Sequence, residues 1–427
     1  MKMSFLFIAL LVPLLLHGIQ AFEVEAIYQF GDSISDTGNL IRDNAIGAKS
    51  NFARLPYGQT FFHKPTGRCS DGLLIVDYFA QFFKLPFLEP YLKRDANFSH
   101  GVNFAVAGST ALDASTLQAK NILLPVTNSS LSVQLDWFKS HIKSVCSTSP
   151  GNGQLVRRPY FTESKLFFFF FFLGGFLLCT SDEIEFSNYL KVKTRTSSTE
   201  HNVTDKWFFY APGCKYKLRK ALFLMGEIGG NDINYAMLQG MSLDDIRKMV
   251  PEIVGTIKRA VHEVIKLGAV HVVVPGNFPI GCMTAYLASF EAADPTMYDE
   301  LKCLKSLNEF TMYQNEQLQK TIKELQQEHP HVNIVYGDYF NALKDTLRFA
   351  ASLGFDEASA QKTCCGSGNN PYNFDLTRMC GEQGVQACAN PSAHINWDGV
   401  HLTSSAYKHI ARFLLIKNIV PSISRIA

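Results

Sequence analysis

Five short apolar segments recur along this chain, and each runs into glycine within two residues of its end. A short continuous apolar run is typical of a strand buried on both faces of a sheet. Helical patterns separate these segments, and strands that alternate with helices are typical of a parallel sheet. The sequence therefore predicts an α/β fold of three layers (α/β/α), with helices on both faces of a central parallel sheet. The predicted strands are 26–30, 102–106, 220–225, 270–274 and 332–336.

Capping residues indicate where the helices begin and end. Asp71, Ser242 and Asp338 each precede a helical pattern and are able to accept hydrogen bonds from its first amides. Gly268 ends a long pattern that contains Pro251, where we expect a kink. The predicted helices are 73–83, 132–145, 243–267, 297–327 and 404–417, with a further helix starting at Asp338.

Composition and the first residues indicate the class of protein and its address. The 427 residues include 40 basic and 38 acidic ones, so no field of one sign favours nucleic acid. Residues 1–21 combine Lys2, an apolar stretch and small residues, which is typical of a secretory signal peptide. The alternative is a membrane anchor, but the stretch is shorter than the about 20 apolar residues of a span. We therefore expect a secreted, extracellular protein without a stable membrane span, with the vacuole as an alternative destination.

Glycosylation motifs and cysteines fit this address. Asn97, Asn128 and Asn202 each begin an Asn-x-Ser/Thr acceptor. The ten cysteines favour disulfides over metal ligands in a secreted chain. Four of them cluster in a Gly/Asn-rich loop at 364–388, where the spacing matches no familiar zinc pattern and no histidine is interleaved. A bridged loop is the favoured interpretation, and its pairing stays open.

Four short blocks carry residues with chemical potential. Each lies just after a predicted strand or in a late loop, and ligands bind at the carboxyl edge of open α/β sheets. We therefore expect the blocks to converge although they are far apart in sequence. In order, they are Gly31-Asp32-Ser33, Asn103-Phe104-Ala105-Val106-Ala107-Gly108, Gly229-Gly230-Asn231-Asp232 and Asp398-Gly399-Val400-His401.

Together, these blocks resemble the four signature blocks of the plant GDSL esterase/lipases, within the SGNH hydrolase superfamily. The resemblance implies one flavodoxin-like hydrolase domain over residues 22–427. It implies a catalytic triad in which Ser33 is the nucleophile, His401 the general base and Asp398 its orienting acid. It further implies an oxyanion hole formed by the backbone amides of Ser33 and Gly108 and the side-chain amide of Asn231.

Several residues compete with these assignments. Ser35 neighbours Ser33 but is better explained as a turn residue, and Asp338 is a rival acid that a helix cap explains better. His394 has no acid at the matching spacing. Phe104, Tyr235 and Phe278 follow block residues and are candidates for lining the pocket. Because Ser35 replaces the second glycine of Gly-x-Ser-x-Gly, the nucleophile-elbow fold is disfavoured.

A Phe-rich insertion at about 149–213 departs from the family pattern. It contains six consecutive phenylalanines at 167–172. A membrane-inserting hairpin and a lipid-facing lid are two interpretations. We favour a third, a translated intron, because a polypyrimidine tract encodes phenylalanine and such a run is aggregation-prone in a secreted protein.

The function that follows is hydrolysis of a small-molecule or lipid carboxylic ester through an acyl-enzyme, by a monomer that needs no metal or organic cofactor. Acyl transfer to an alcohol uses the same residues and stays open. The non-enzyme alternative is an inactive secreted binding glycoprotein that keeps the cleft. The acyl chain and the alcohol of the substrate are not determined by the sequence.

Overall fold

The strands form one parallel sheet in a computed structural model that describes residues 23–124, 126–147 and 212–423, all of which belong to one compact unit. The expected signal peptide at 1–21, Asn202 and nearly all of the 149–213 insertion lie outside the described residues. The sheet has the order β2-β1-β3-β4-β5, and every neighbouring pair is parallel. This is the flavodoxin-like order of doubly wound folds, which confirms the predicted fold class. The strands are β1 (Ala26–Gln29), β2 (Gly101–Asn103), β3 (Ala221–Leu224), β4 (His271–Pro275) and β5 (Asn333–Gly337).

Helices follow the strands as the alternation predicts. The longest begins after Ser242, whose hydroxyl accepts a hydrogen bond from Asp245 N at 3.2 Å, and ends at Gly268 with φ of 123°. Asp338 caps another helix by accepting from Asn341 N at 3.1 Å. The helices are α1 (Leu40–Asp43), α2 (Ala45–Ala48), α3 (Ile75–Phe82), α4 (Ala114–Ala119), α5 (Leu131–Ser147), α6 (Pro212–Arg219), α7 (Gly230–Leu238), α8 (Leu243–Leu267), α9 (Thr284–Ser289), α10 (Lys305–Glu328), α11 (Tyr339–Arg348), α12 (Ser404–Leu414) and α13 (Val420–Ile423).

Two groups of helices cover the sheet. Helix α8 packs against α5 and α10, and α12 packs against α3 and α11. Two separate groups are what a three-layer arrangement requires, since each face of a parallel sheet must be shielded from water. All five residues of β4 are buried, as expected for a strand covered on both faces.

An aromatic cluster fills the space between β1 and α5. Phe104 is fully buried, and its ring lies 5.3 Å from that of Phe30 and 5.8 Å from that of Phe138. Phe278 is also buried, with its ring 4.9 Å from that of Tyr339. The expectation that Phe104 and Phe278 line a pocket was therefore wrong, because both side chains are committed to the core.

The helix expected at 297–327 begins only at Lys305. Its first residues are instead held by the disulfide between Cys282 and Cys303 and by a hydrogen bond of 2.8 Å from Leu304 N to Gly281 O. Lys302 has a φ of 59°, which a helix does not accommodate. Long-range pairing therefore overrides the local helical pattern between 297 and 304.

The prediction for Asp71 also needs correction. Leu74, not Asp71, occupies the N-cap position of α3, and Asp77 accepts a hydrogen bond from Leu74 N at 2.9 Å. Asp71 accepts from Ser404 N at 2.7 Å instead, so its carboxylate joins this turn to the start of α12.

Two disulfides brace the loop that precedes α12, namely Cys364–Cys388 and Cys365–Cys380. Backbone bonds run from Cys364 N to Asn396 O at 3.0 Å and from Cys365 N to Trp397 O at 2.7 Å. The expected bridged loop is thus confirmed, and its cysteines are occupied by disulfides. Among the described residues, we find no helix with the length and apolarity that crossing a bilayer requires.

Candidate active site

Ser33 lies in a tight turn just beyond β1. Gly31 precedes it with φ of 126°, and a Cβ at Gly31 would lie 2.9 Å from Glu227 O on the neighbouring turn, so only glycine fits there. The Gln134 side chain bonds both backbone groups of Gly31, accepting from its amide at 2.9 Å and donating to its carbonyl at 2.8 Å. These contacts fix the backbone immediately before Ser33.

Asp36 ties this turn to the next block. It is fully buried and accepts hydrogen bonds from the amides of Gly38, Asn39 and Leu40, and from Ala107 N at 2.8 Å. Burial raises the pKa of Asp36, although these amide bonds act in the opposite direction. The sequence analysis did not identify Asp36, whose contact with Ala107 joins residues far apart in the chain.

The backbone amides of Ser33 and Gly108 are both candidate hydrogen-bond donors to an oxyanion. Neither amide donates a hydrogen bond to another residue in the described part of the chain. Gly108 has φ of 85°, and Tyr235 donates to its carbonyl at 2.9 Å. Ser33 follows β1 and Gly108 follows β2, and these two strands are neighbours in the sheet. The two turns are therefore able to offer two free donors to one oxyanion.

Asn231 lies in the first turn of α7, beyond β3, the other neighbour of β1. Its Nδ2 lies 3.0 Å from Asp32 Oδ2 and 2.9 Å from Ser109 O, so both amide hydrogens have acceptors. Asn231 therefore links the Ser33 turn to the Gly108 loop. To donate to an oxyanion, it has to share or release one of these hydrogens.

Asp398 and His401 form a buried pair in the loop before α12. His401 Nδ1 lies 2.7 Å from Asp398 Oδ2, and His401 N donates to Asp398 Oδ1 at 2.8 Å. Tyr57 donates its hydroxyl hydrogen to Asp398 Oδ2 at 2.7 Å. Burial alone would raise the pKa of Asp398, but the histidine and these hydrogen bonds hold it below its ordinary value. Asp398 is thus an ionised acceptor that fixes the orientation of the imidazole.

Tyr57→Phe tests this support, and we expect it to lower the free energy of unfolding by about 1–3 kcal/mol, since a bond to a charged group is lost. An ionised Asp398 stabilises the fold above its unfolded-state pKa of about 3.9, and that stabilisation is lost as pH falls through the lower folded-state pKa. Without Tyr57, the folded-state pKa rises, so less is gained at neutral pH. Denaturant unfolding at neutral and acidic pH measures both effects.

Tyr28→Phe is the matched control for this variant, because Tyr28 is also buried but its hydroxyl bonds no described residue. Equal stability of the Tyr57→Phe and Tyr28→Phe variants would contradict the proposed support of Asp398.

Buried side chains connect the two halves of the site. The Phe52 ring lies 5.6 Å from that of His401 and also packs against a cluster that contains Leu40 and Ala107, beside the Ser33 turn. Burial raises the pKa of the Cys69 thiol, and the carboxylates of Asp36, Asp398 and Asp32 add to this effect. The His401 loop and the Ser33 turn therefore surround one buried region. No hydrogen bond joins Ser33 Oγ to His401 Nε2 in the described residues, as is common before substrate binds.

The competing residues have other partners. Ser35 N donates to Asp32 O at 3.1 Å, and Asp338 caps α11 as described above. His394 Nδ1 lies 3.2 Å from Asn390 O, and no described carboxylate forms a hydrogen bond or ion pair with it. The glycosylation candidates Asn97 and Asn128 both have exposed side chains, which leaves them accessible.

Comparison with known proteins gives a consistent result. The model of the family described as GDSL-like Lipase/Acylhydrolase matches residues 27–414. Acetylajmalan esterase 1 of Rauvolfia serpentina is 39% identical over 391 residues, covering 92% of this chain and 86% of that protein. Two GDSL esterase/lipases of Arabidopsis thaliana are similar as well. One is 35% identical over 97% of this chain and 90% of its own length, and the other 37% identical over 96% and 91%.

Proposed function

Because the chain belongs to the GDSL-like lipase/acylhydrolase family and is a carboxylic ester hydrolase, we propose that it cleaves its ester with a Ser33-His401-Asp398 triad and an acyl-enzyme on Ser33. The contact between His401 Nδ1 and Asp398 Oδ2 at 2.7 Å supports this proposal most directly. An imidazole held through Nδ1 presents Nε2 as the base, which is the arrangement that a serine nucleophile needs.

The proposed reaction has two halves. Ser33 Oγ attacks the ester carbonyl while His401 Nε2 takes the hydroxyl proton. The tetrahedral intermediate collapses, the alcohol leaves with that proton, and the acyl group stays on Ser33. Water then attacks the acyl-enzyme with His401 again as base, and the carboxylic acid leaves with Ser33 restored. These steps need no metal or organic cofactor.

Charge on the carbonyl oxygen is stabilised by the amides of Ser33, Gly108 and Asn231 in this proposal. The two backbone amides have no other acceptor in the described part of the chain, and Asn231 contributes by sharing one of its hydrogens. Asn231 also stands at the amino end of α7, whose dipole favours negative charge. Removal of one such donor typically costs about 2.7–4 kcal/mol of barrier.

Secretion completes the proposal. We propose that residues 1–21 direct the chain to an oxidising compartment, extracellular or vacuolar, where the disulfides form. Asn97 and Asn128, both exposed, and Asn202 are the proposed glycan sites.

The preferred length of the acyl chain is tested by comparing the turnover of p-nitrophenyl acetate with that of p-nitrophenyl palmitate. We expect the mature chain to turn over the acetate ester. The name of its relative acetylajmalan esterase 1 indicates an acetyl ester, which makes an acetyl group a reasonable first choice. The assay is run on the chain as written and on a chain without residues 149–213. If only the shortened chain is active, the insertion is an artefact, as the translated-intron interpretation requires.

The other outcomes also assign the insertion. A full chain that prefers the palmitate ester, with that preference lost on deletion, makes the Phe-rich segment a lipid-facing lid. If both forms fold and neither turns over an ester, the proposed hydrolytic site is wrong.

A further inference from the structure

Two buried carboxyl groups meet beside the nucleophile turn. Asp32 is 3% exposed and Glu227 is 5% exposed, and their side chains are hydrogen-bonded to each other. They come from the turns after β1 and β3, which lie side by side because Gly31 and Gly226 leave room for close backbone contact. One carboxylate cannot donate to another, so this hydrogen bond requires a proton.

The surroundings supply no positive charge for this pair. No ion pair of Asp32 or Glu227 occurs in the described residues. The Glu227 Oε1 atom is buried and has no hydrogen-bond partner among them by distance and angle; the neighbouring Gly230 amide acts to lower the pKa of Glu227, but burial outweighs it and makes full ionisation costly. The titratable groups that sense the pair are acids, phenols and a thiol: Asp232, Tyr235, Tyr286, Tyr339, Tyr407 and Cys69.

Burial raises the pKa of both carboxyl groups, and the charge of Glu227 raises that of Asp32 further. Two adjacent carboxylates in such a site share one proton, because both cannot ionise at close range. The pair thus carries one negative charge where two separate carboxylates would carry two.

Asp32 connects the carboxyl pair to the candidate active site. Its Oδ1 accepts from Ile34 N at 3.0 Å, which holds the backbone on the far side of Ser33, and its Oδ2 accepts from Asn231 Nδ2 at 3.0 Å. A continuous chain of contacts therefore runs from Glu227 through Asp32 to the amide of Asn231. The Asp32 carboxyl group is thus held between Glu227 and Asn231.

We propose that Glu227 is a positioning residue for ester hydrolysis, which binds Asp32 through a shared proton and so holds the Asn231 amide in place beside Ser33. This inference rests on the proposed function, since Asn231 matters to the rate only if an oxyanion forms there. Sharing the proton also avoids a second negative charge next to the developing oxyanion, where it would oppose catalysis.

Kinetics of Glu227→Ala and Glu227→Gln test the proposal. In Glu227→Ala, we expect kcat to fall by about 10–100-fold with KM within about twofold of wild type, because a displaced donor is felt mainly in the transition state. Glu227→Gln keeps the shape, one N–H for Asp32 and a single negative charge, so kcat should stay within about threefold. A wild-type kcat in Glu227→Ala, or equal losses in the two folded variants, would overturn the proposal.

Infrared difference spectroscopy tests the shared proton without relying on turnover. At neutral pH, wild type minus Glu227→Gln should give a band in the carboxylic-acid carbonyl region that shifts in heavy water. Glu357→Gln changes an exposed glutamate and should give none. Absence of the band from the Glu227 spectrum would overturn the shared proton even if Glu227→Ala failed to fold. Labelling of wild type by a serine phosphonate separates failure of the proposed Ser33 triad from failure of the proposed role of Glu227. If the enzyme is labelled at Ser33 but its kinetics do not change in the Glu227 variants, only the role of Glu227 is refuted.

Discussion

Ser33→Ala will lower kcat for p-nitrophenyl acetate by about 10⁴–10⁶-fold while the protein stays folded. The loss is this large because no acyl-enzyme forms without the Ser33 hydroxyl, so one difficult step can no longer be split into two easier ones. The folded state should tolerate the change, since the Ser33 side chain makes no hydrogen bond with another described residue. Steady-state turnover and labelling by a serine phosphonate measure the effect.

Ser35→Ala is the matched control, because Ser35 lies two residues further along the same turn and is also buried. Its backbone makes the turn contacts, and alanine preserves them, so kcat should stay within about threefold. Retained turnover in Ser33→Ala, or labelling at Ser35, would refute Ser33 as the nucleophile.

Asp398→Asn is expected to lower kcat by about 10⁴-fold with little change in KM. An amide that turns its Nδ2 toward His401 would stabilise the wrong tautomer, in which Nε2 carries the hydrogen and is unable to take the proton of Ser33. The Tyr57 hydroxyl favours an oxygen at the Oδ2 position, but His401 N still competes for the other oxygen. The variant therefore removes the charge of Asp398 and disturbs the tautomer of His401 together. Steady-state kinetics across pH measure the loss.

Asp338→Asn is the control for this second variant. Asp338 is the other aspartate that sequence makes a candidate acid, and asparagine caps helices about as well as aspartate does. Normal activity is expected from Asp338→Asn. Loss of activity there, with turnover retained in Asp398→Asn, would reverse the assignment of the acid.

Local pattern was enough to predict the strands and several helix ends. Ser242 and Asp338 act on amides three residues away, so their roles are written in adjacent sequence. The 297–304 segment was misassigned because its conformation depends on a disulfide and on Gly281, which lies more than twenty residues before Cys303. Asp71 was misassigned for the same reason, since its partner Ser404 is 333 residues away.

In the candidate site as well, residues in local patterns were predictable and residues that act through long-range contacts were not. The residues that would touch the ester stand in recognisable blocks, because the chemistry fixes their types and spacing. The residues that hold those blocks do not form a pattern in sequence: Tyr57 is 341 positions from Asp398, and Gln134 is 103 from Gly31. Only the folded chain identifies them.

The disulfides of the adjacent cysteines Cys364 and Cys365 affect when the protein becomes able to hydrolyse esters. Both disulfides and Trp397 pack in one cluster with Tyr57, the donor to Asp398, so the support of the acid in the proposed triad depends on oxidised cysteines. A newly made chain in a reducing compartment lacks these cross-links. Under the proposed secretion, the fold therefore provides latency: ester hydrolysis would begin only after export, and cytosolic esters would be spared on the way.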